Sequence, residues 1–175
     1  KTESRKPKLD TNTPTRVPDP VIQHLETALP LKTRQACGML IERLETYKEY
    51  FKYFSFYTST LRTLSLSEEE NISPTETQLR ELNKMKDHFL RSDMVLYKMD
   101  PEKTLSILID VHGNTFNGVL IHIDEKRKNK ELFNVSRPMT DIEKEYSFTG
   151  KEAIAAAFTI QESMDYIKQT ANTYL

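Results

Sequence analysis

Two carboxylates stand out by their positions. Asp110 ends the run Ile107-Leu108-Ile109, which is apolar enough for the interior of a sheet. A lone carboxylate beside such a run is costly to desolvate and wants a partner, a cation or an open cleft. Glu152 follows 42 residues later, just ahead of the alanine-rich stretch Ala153 to Ala157. A helix laid across a small sheet can bring its first turn to a central strand. Two carboxylates meeting there could hold Mg²⁺, a hard cation that takes oxygen ligands and keeps several waters. A pair of such ions supports in-line phosphodiester cleavage. The spacing alone fits a plainer reading equally well: an aspartate at a strand end and a glutamate favoured by the helix dipole. The histidines (His24, His88, His112, His122) are dispersed without ligand spacing and read as surface or core residues. No phosphate loop, nucleophile elbow or dinucleotide fingerprint occurs. Cys37 is the single cysteine, which excludes an internal disulfide and a cysteine-based zinc site.

The elements that must position these groups fall into two runs. The chain has 175 residues, 37% apolar and 29% charged, with a mean hydropathy of −0.61. The core is therefore modest, and the eight Phe and eight Tyr argue against global disorder. Net charge is −1, so a uniformly basic nucleic-acid binder is not indicated. No apolar run approaches the ~18 residues of a membrane span, and no secretory leader opens the sequence. The expectation is an intracellular protein, in cytoplasm or nucleus, without membrane contact.

Residues 1–18 carry three prolines and an excess of lysine and arginine, and read as a flexible basic arm. Asp19-Pro20 reads as an N-cap with proline behind it. Ala36, Leu40, Leu44, Tyr47, Phe51 and Phe54 recur at spacings of 3 and 4, which predicts one long helix over 33–62 buried on two sides. Ser73-Pro74-Thr75-Glu76 reads as a capping box opening an amphipathic helix through Leu79, Leu82, Met85 and Phe89. The period then shortens to two. Residues 105–111, 118–123 and 132–136 predict three strands joined by the turn His112-Gly113-Asn114 and a charged loop, an antiparallel meander. Ala153, Ala157, Ile160, Met164 and Ile167 form the apolar stripe of a last helix. The predicted class is α+β: helical from 19 to 97, then β-β-β-α from 98 to 175.

Five fragments recur here in a familiar order: Ile109-Asp110, Gly118-Val119-Leu120, Ser136-Arg137, Glu143-Lys144-Glu145-Tyr146 and Lys151-Glu152-Ala153. This order resembles the start of the ribonuclease H domain in the polymerase polyprotein of gypsy-type LTR retrotransposons. The helical half looks like that family's polymerase thumb and connector, with Arg34 to Gly38, Tyr47 to Phe51, Leu61 to Leu64 and Phe89 to Leu96 as landmarks. The resemblance covers residues 19–170. It implies a reverse transcriptase fragment that grips an RNA–DNA or DNA duplex, with Arg34, Lys48 and Lys52 as candidate phosphate contacts. It also implies Asp110 and Glu152 as catalytic, Mg²⁺-binding carboxylates.

Departures accompany the matches. The family's "DAS" stands here as Asp110-Val111-His112, and its third and fourth carboxylates would fall beyond Leu175. Mg²⁺ binding is thus expected only if residues beyond this chain complete the site, and the chain alone is expected not to cleave a hybrid. The alternative is a domesticated, non-catalytic derivative serving as a protein- or RNA-binding scaffold module.

Overall fold

A computed structural model describes residues 12–173, with side chains as far as Lys168. The architecture is α+β, and each half builds its own core. The basic segment 1–11 lies outside the described residues. The rest of the predicted arm is built into the fold. Strand β1 (Thr15–Arg16) pairs antiparallel with β2 (Val95–Leu96), and Val17 is buried behind it.

Helix α1 (Asp19–Thr27) starts one residue earlier than its sequence suggests. Asp19 is the first helical residue and Pro18 the N-cap, without a side-chain capping bond. Helix α2 (Arg34–Glu45) is capped by Thr33, whose hydroxyl accepts from the Ala36 amide at 3.1 Å. The predicted continuous helix over 33–62 does not form. After α2 come a 3₁₀ turn (Lys48–Tyr50), the short helix α3 (Phe54–Tyr57) and α4 (Ser59–Ser65). The break has a packing cause. Phe51 and Phe54 turn into the helical core against Phe89, at ring separations of 4.4 and 5.9 Å, while Tyr53 and Phe56 reach the opposite way to His112. One straight helix cannot present this aromatic run to both surfaces, and aromatic residues are indifferent helix formers. Helix α5 (Glu76–Arg91) opens with a capping box two residues later than predicted, made by Thr75 and Gln78. Its buried stripe is Leu82, Met85 and Phe89. Each such side chain contributes roughly 1.5–3 kcal/mol of burial.

The second half is the predicted meander. Strands β3 (Leu105–His112), β4 (Thr115–Ile123) and β5 (Asn129–Pro138) lie in the order β3-β4-β5, all antiparallel. Gly113 turns the first hairpin at φ 56°, where a side chain would be strained and a Cβ would meet Phe56 at 3.0 Å. A short helix α6 (Asp141–Lys144) follows, capped reciprocally by Thr140 and Glu143. Glu143 also receives a two-point bond from Arg137, 2.8 Å at each oxygen, which pulls its carboxyl down to about 2.

The last helix, α7 (Phe148–Thr173), packs on one face of the sheet, and of the predicted stripe Ile167 alone joins the sheet's core. Ala155, Thr159 and Ser163 are buried, whereas Ala153, Ala157, Ile160 and Met164 are exposed. Close approach decides the matter. Gly118 lies so near the helix that a Cβ there would fall 2.0 Å from the Thr159 hydroxyl. Only a row of small residues at i, i+4 and i+8 fits, and Thr159 satisfies its hydroxyl by donating to the Ala155 carbonyl at 2.7 Å.

Candidate functional site

Strand register assigns the faces. Successive residues of a strand alternate sides, and directly paired residues share one. Gly118 faces α7, so its β3 partner Ile109 does too, together with Ile107 and Val111. Asp110, paired with Asn117, faces the other way, toward the helical half. There it meets Tyr53. Burial, and next the hydrogen-bonded Asp110 carboxylate, push the Tyr53 phenol above its ordinary pKa. Tyr53 holds φ 56°, a conformation aromatic residues rarely adopt, and this turn places its ring over the hairpin.

Glu152 lies on the α7 side. It is exposed, one turn before Ala155, and Ala155 packs with Phe116, Met139 and Val111. The sheet therefore separates Asp110 from Glu152, and the expected convergence does not occur. The β3 residue that does face the start of α7 is the apolar Val111. Among the described residues no three His, Cys, Asp or Glu side chains gather where they could hold a metal ion. The donors present do not fit a Mg²⁺ pair.

What the structure does bring together is the seam between the halves. The Ser55 amide donates to the Ser136 hydroxyl at 2.8 Å, and the Ser55 hydroxyl donates to the Ser136 carbonyl at 3.0 Å. Asn134 donates to the Glu49 carbonyl at 3.0 Å. Lys52 pairs with Glu131. His88 stacks on Tyr57 at 3.8 Å and donates through Nε2 to the Lys52 carbonyl at 3.1 Å; burial holds its pKa below the ordinary value. His112 meets Phe56 edge-on at 4.4 Å. His122 is buried, bonded to the Asp100 amide and the Thr104 carbonyl, and His24 contacts Arg43 at the surface. An open cleft of about 460 Å³ runs along the seam, with Tyr50, Tyr97, Lys52 and Arg91 in its walls.

The three predicted phosphate contacts are not gathered on one spot. Lys48 is exposed on the 3₁₀ turn. Lys52 is engaged by Glu131 across the seam, and Arg34 bonds to Glu70 at 3.1 Å and to the Ser67 carbonyl at 3.3 Å. The sequence reading did not single out Tyr53, whose ring lies 6.2 Å from that of His88 and 5.3 Å from that of His112. No spacing announces this grouping, because it forms only when the hairpin closes on the helical half. No helix among the described residues is long and apolar enough to cross a membrane.

Comparison with known proteins bears on this arrangement. The profile of the RNase H-like domain found in reverse transcriptase matches residues 75–173, from the start of α5 through α7. No curated protein matches the chain. Among solved structures it is similar to the foamy viral protease-reverse transcriptase. The dRH form with double-stranded DNA superposes at a TM-score of 0.72 over 86% of this chain and 26% of that one. The complex with double-stranded DNA gives 0.71 over 86% and 31%, and the RNA/DNA hybrid complex gives 0.69 over 85% and 20%. Identity is 15% in each, so this likeness speaks for the fold. The chain spans less than a third of the length of those proteins. By the profile over more than half its length, the chain belongs to the family of RNase H-like domains found in reverse transcriptases.

Proposed function

We propose that this chain is a duplex-gripping part of a gypsy-type reverse transcriptase, with a thumb- and connector-like half over 19–97 and an RNase H-like half over 98–175, and that it holds nucleic acid without hydrolysing it. The face assignment carries the reading. Asp110 and Glu152 lie on opposite sides of the sheet, and Val111 fills the position facing α7 where a second carboxylate would be needed. Structurally similar foamy viral chains bind double-stranded DNA and an RNA/DNA hybrid, which supports a duplex as partner. An intracellular setting accords with a single cysteine that is free and buried.

The test is fluorescence anisotropy with labelled hybrid, duplex DNA and single strands across a salt series. Affinity for the duplexes should fall log-linearly with salt, as counterion release requires. Lys48→Ala should lower that slope by about 1 if Lys48 touches a phosphate. Absence of duplex binding would sink the proposal. It would then favour a domesticated, non-catalytic scaffold, which the apolar Val111 position also suits.

A further inference from the structure

The loop joining β4 to β5 concentrates positive charge. Asp124-Glu125-Lys126-Arg127-Lys128-Asn129-Lys130 has four cations against two carboxylates, in a chain whose net charge is −1. The backbone of the loop is built to hold those cations outward. The Asp124 amide donates to the Lys128 carbonyl at 3.0 Å, and the Asp124 carboxylate accepts from the Lys128 amide at 2.8 Å. Arg127 turns the tip at φ 60°, and its amide donates to the Asp124 carbonyl at 2.9 Å. The Asp124 carboxylate is thus engaged in the turn, while Lys126, Arg127 and Lys128 stand exposed at the tip.

This loop borders the seam cleft of about 460 Å³. Asn129 and Glu131 line the cleft from β5, and Arg91 and Asp93 line it from the end of α5. Glu131 is neutralised by Lys52. Half-buried Tyr50 and Tyr97 supply aromatic surface in the walls. The Lys130 ammonium lies 5.1 Å above the centre of the Tyr97 ring and donates to the Asn12 side-chain oxygen at 2.8 Å. Cations interleaved with aromatic rings suit one strand of nucleic acid, whose phosphates meet the cations and whose unstacked bases lie on the rings. A double helix keeps its base faces stacked on one another and offers Tyr50 and Tyr97 nothing. The cleft has the volume of a small-ligand pocket, which takes a short run of one strand and not a duplex.

We propose that the β4–β5 loop and the seam cleft together form a track for single-stranded nucleic acid, the unpaired strand that runs on from a duplex. The proposal rests on the reading of this chain as a holder of nucleic acid and names a surface separate from Arg34 and Lys48. Lys126, Arg127 and Lys128 take phosphates outside the cleft, and Arg91 takes one at its helical wall. A base entering the cleft displaces the Lys130 ammonium from the Tyr97 ring, and that cation turns to a phosphate. The contact tolerates any sequence, because every base has a π-face. An acidic protein segment would satisfy the loop but leave both rings unused.

The test is anisotropy on the full chain with three labelled probes: a blunt RNA/DNA hybrid, the same hybrid with an oligo-dT tail, and oligo-dT alone. The tail should tighten binding about tenfold over the blunt hybrid. Tyr97→Leu, which keeps an apolar side chain against the core, should remove most of that gain, and Tyr97→Phe should retain it. Replacing Lys126, Arg127 and Lys128 together by alanine, all exposed, should lower the salt slope for oligo-dT by about 2. Blunt-hybrid affinity should stay unchanged in both variants. A tailed hybrid bound no tighter than the blunt one overturns the proposal and leaves duplex holding intact. So does a tail gain that survives both variants, or displacement of oligo-dT by poly-glutamate at equal charge concentration. Oligo-dT bound through Tyr97 with no binding of the blunt hybrid supports the track and removes duplex holding instead. Binding of none of the three probes overturns both.

Discussion

Gly118 sits where the sheet and α7 come closest, and its lack of a side chain is what lets Thr159 lie against β4. Gly118→Ala should cost about 1–3 kcal/mol by overpacking, and shortening Thr159 to Ala in the same chain should recover part of it; urea melts of the single and double variants check this. His88 makes a second residue-level prediction. Its folded pKa is lowered by burial, so the unfolded chain takes up the proton more readily. The stabilisation is complete above the ordinary value of about 6.5 and is lost as pH falls through the folded value. Unfolding midpoints should therefore drop between about pH 7 and pH 5. His88→Phe, which keeps the stack on Tyr57, should flatten that dependence. Glu143 works in a lower window. Its carboxyl is held at about 2, first by Arg137 and then by the Thr140 amide. Its contribution is present above the ordinary value of about 4.3 and disappears as pH approaches 2. Thermal melts over that range should lose their slope in Glu143→Gln, which still accepts from Thr140. Asp110 offers a direct check of the face assignment. In a Mg²⁺ titration followed at the carboxyl carbons, Asp110 and Glu152 should not shift in concert.

At the scale of elements, much was legible in the sequence because patterns of two and of three-to-four report burial directly. The three strands, the hairpin at Gly113 and the α5 stripe are of this kind. Two readings failed for a shared reason. The aromatic run between Tyr47 and Tyr57 has rings to spare on every side, so periodicity could not say that it breaks. The break is fixed by contacts with Phe89 and His112, far away in the sequence. Helix α7 likewise has two plausible stripes, and the larger side chains, Ile160 and Met164, lie on the exposed one. The buried stripe is chosen by Gly118, a constraint no helix periodicity contains. The same local ambiguity hid the site geometry, since whether Asp110 or Val111 faces α7 depends on a one-residue parity. Phe51→Ala tests the broken-helix packing. Its ring is buried between Phe54 and Phe89, and its loss should cost about 3–5 kcal/mol in equilibrium unfolding.

For the whole molecule, the seam is what joins the two halves. Ser55, Lys52 and Glu49 on one side meet Ser136, Glu131 and Asn134 on the other. The fold is that of an RNase H-like domain of reverse transcriptase, whereas its carboxylates stand on opposite faces of the sheet. Holding without cutting is the central claim, and one assay bears on it most directly. An end-labelled RNA/DNA hybrid is incubated with the full chain in about 10 mM Mg²⁺ or Mn²⁺, beside Asp110→Asn, with bound fraction and intact RNA measured in the same samples. The account predicts saturable binding by both proteins and full-length RNA in every lane. RNA cleaved by the natural chain and spared by Asp110→Asn would contradict it.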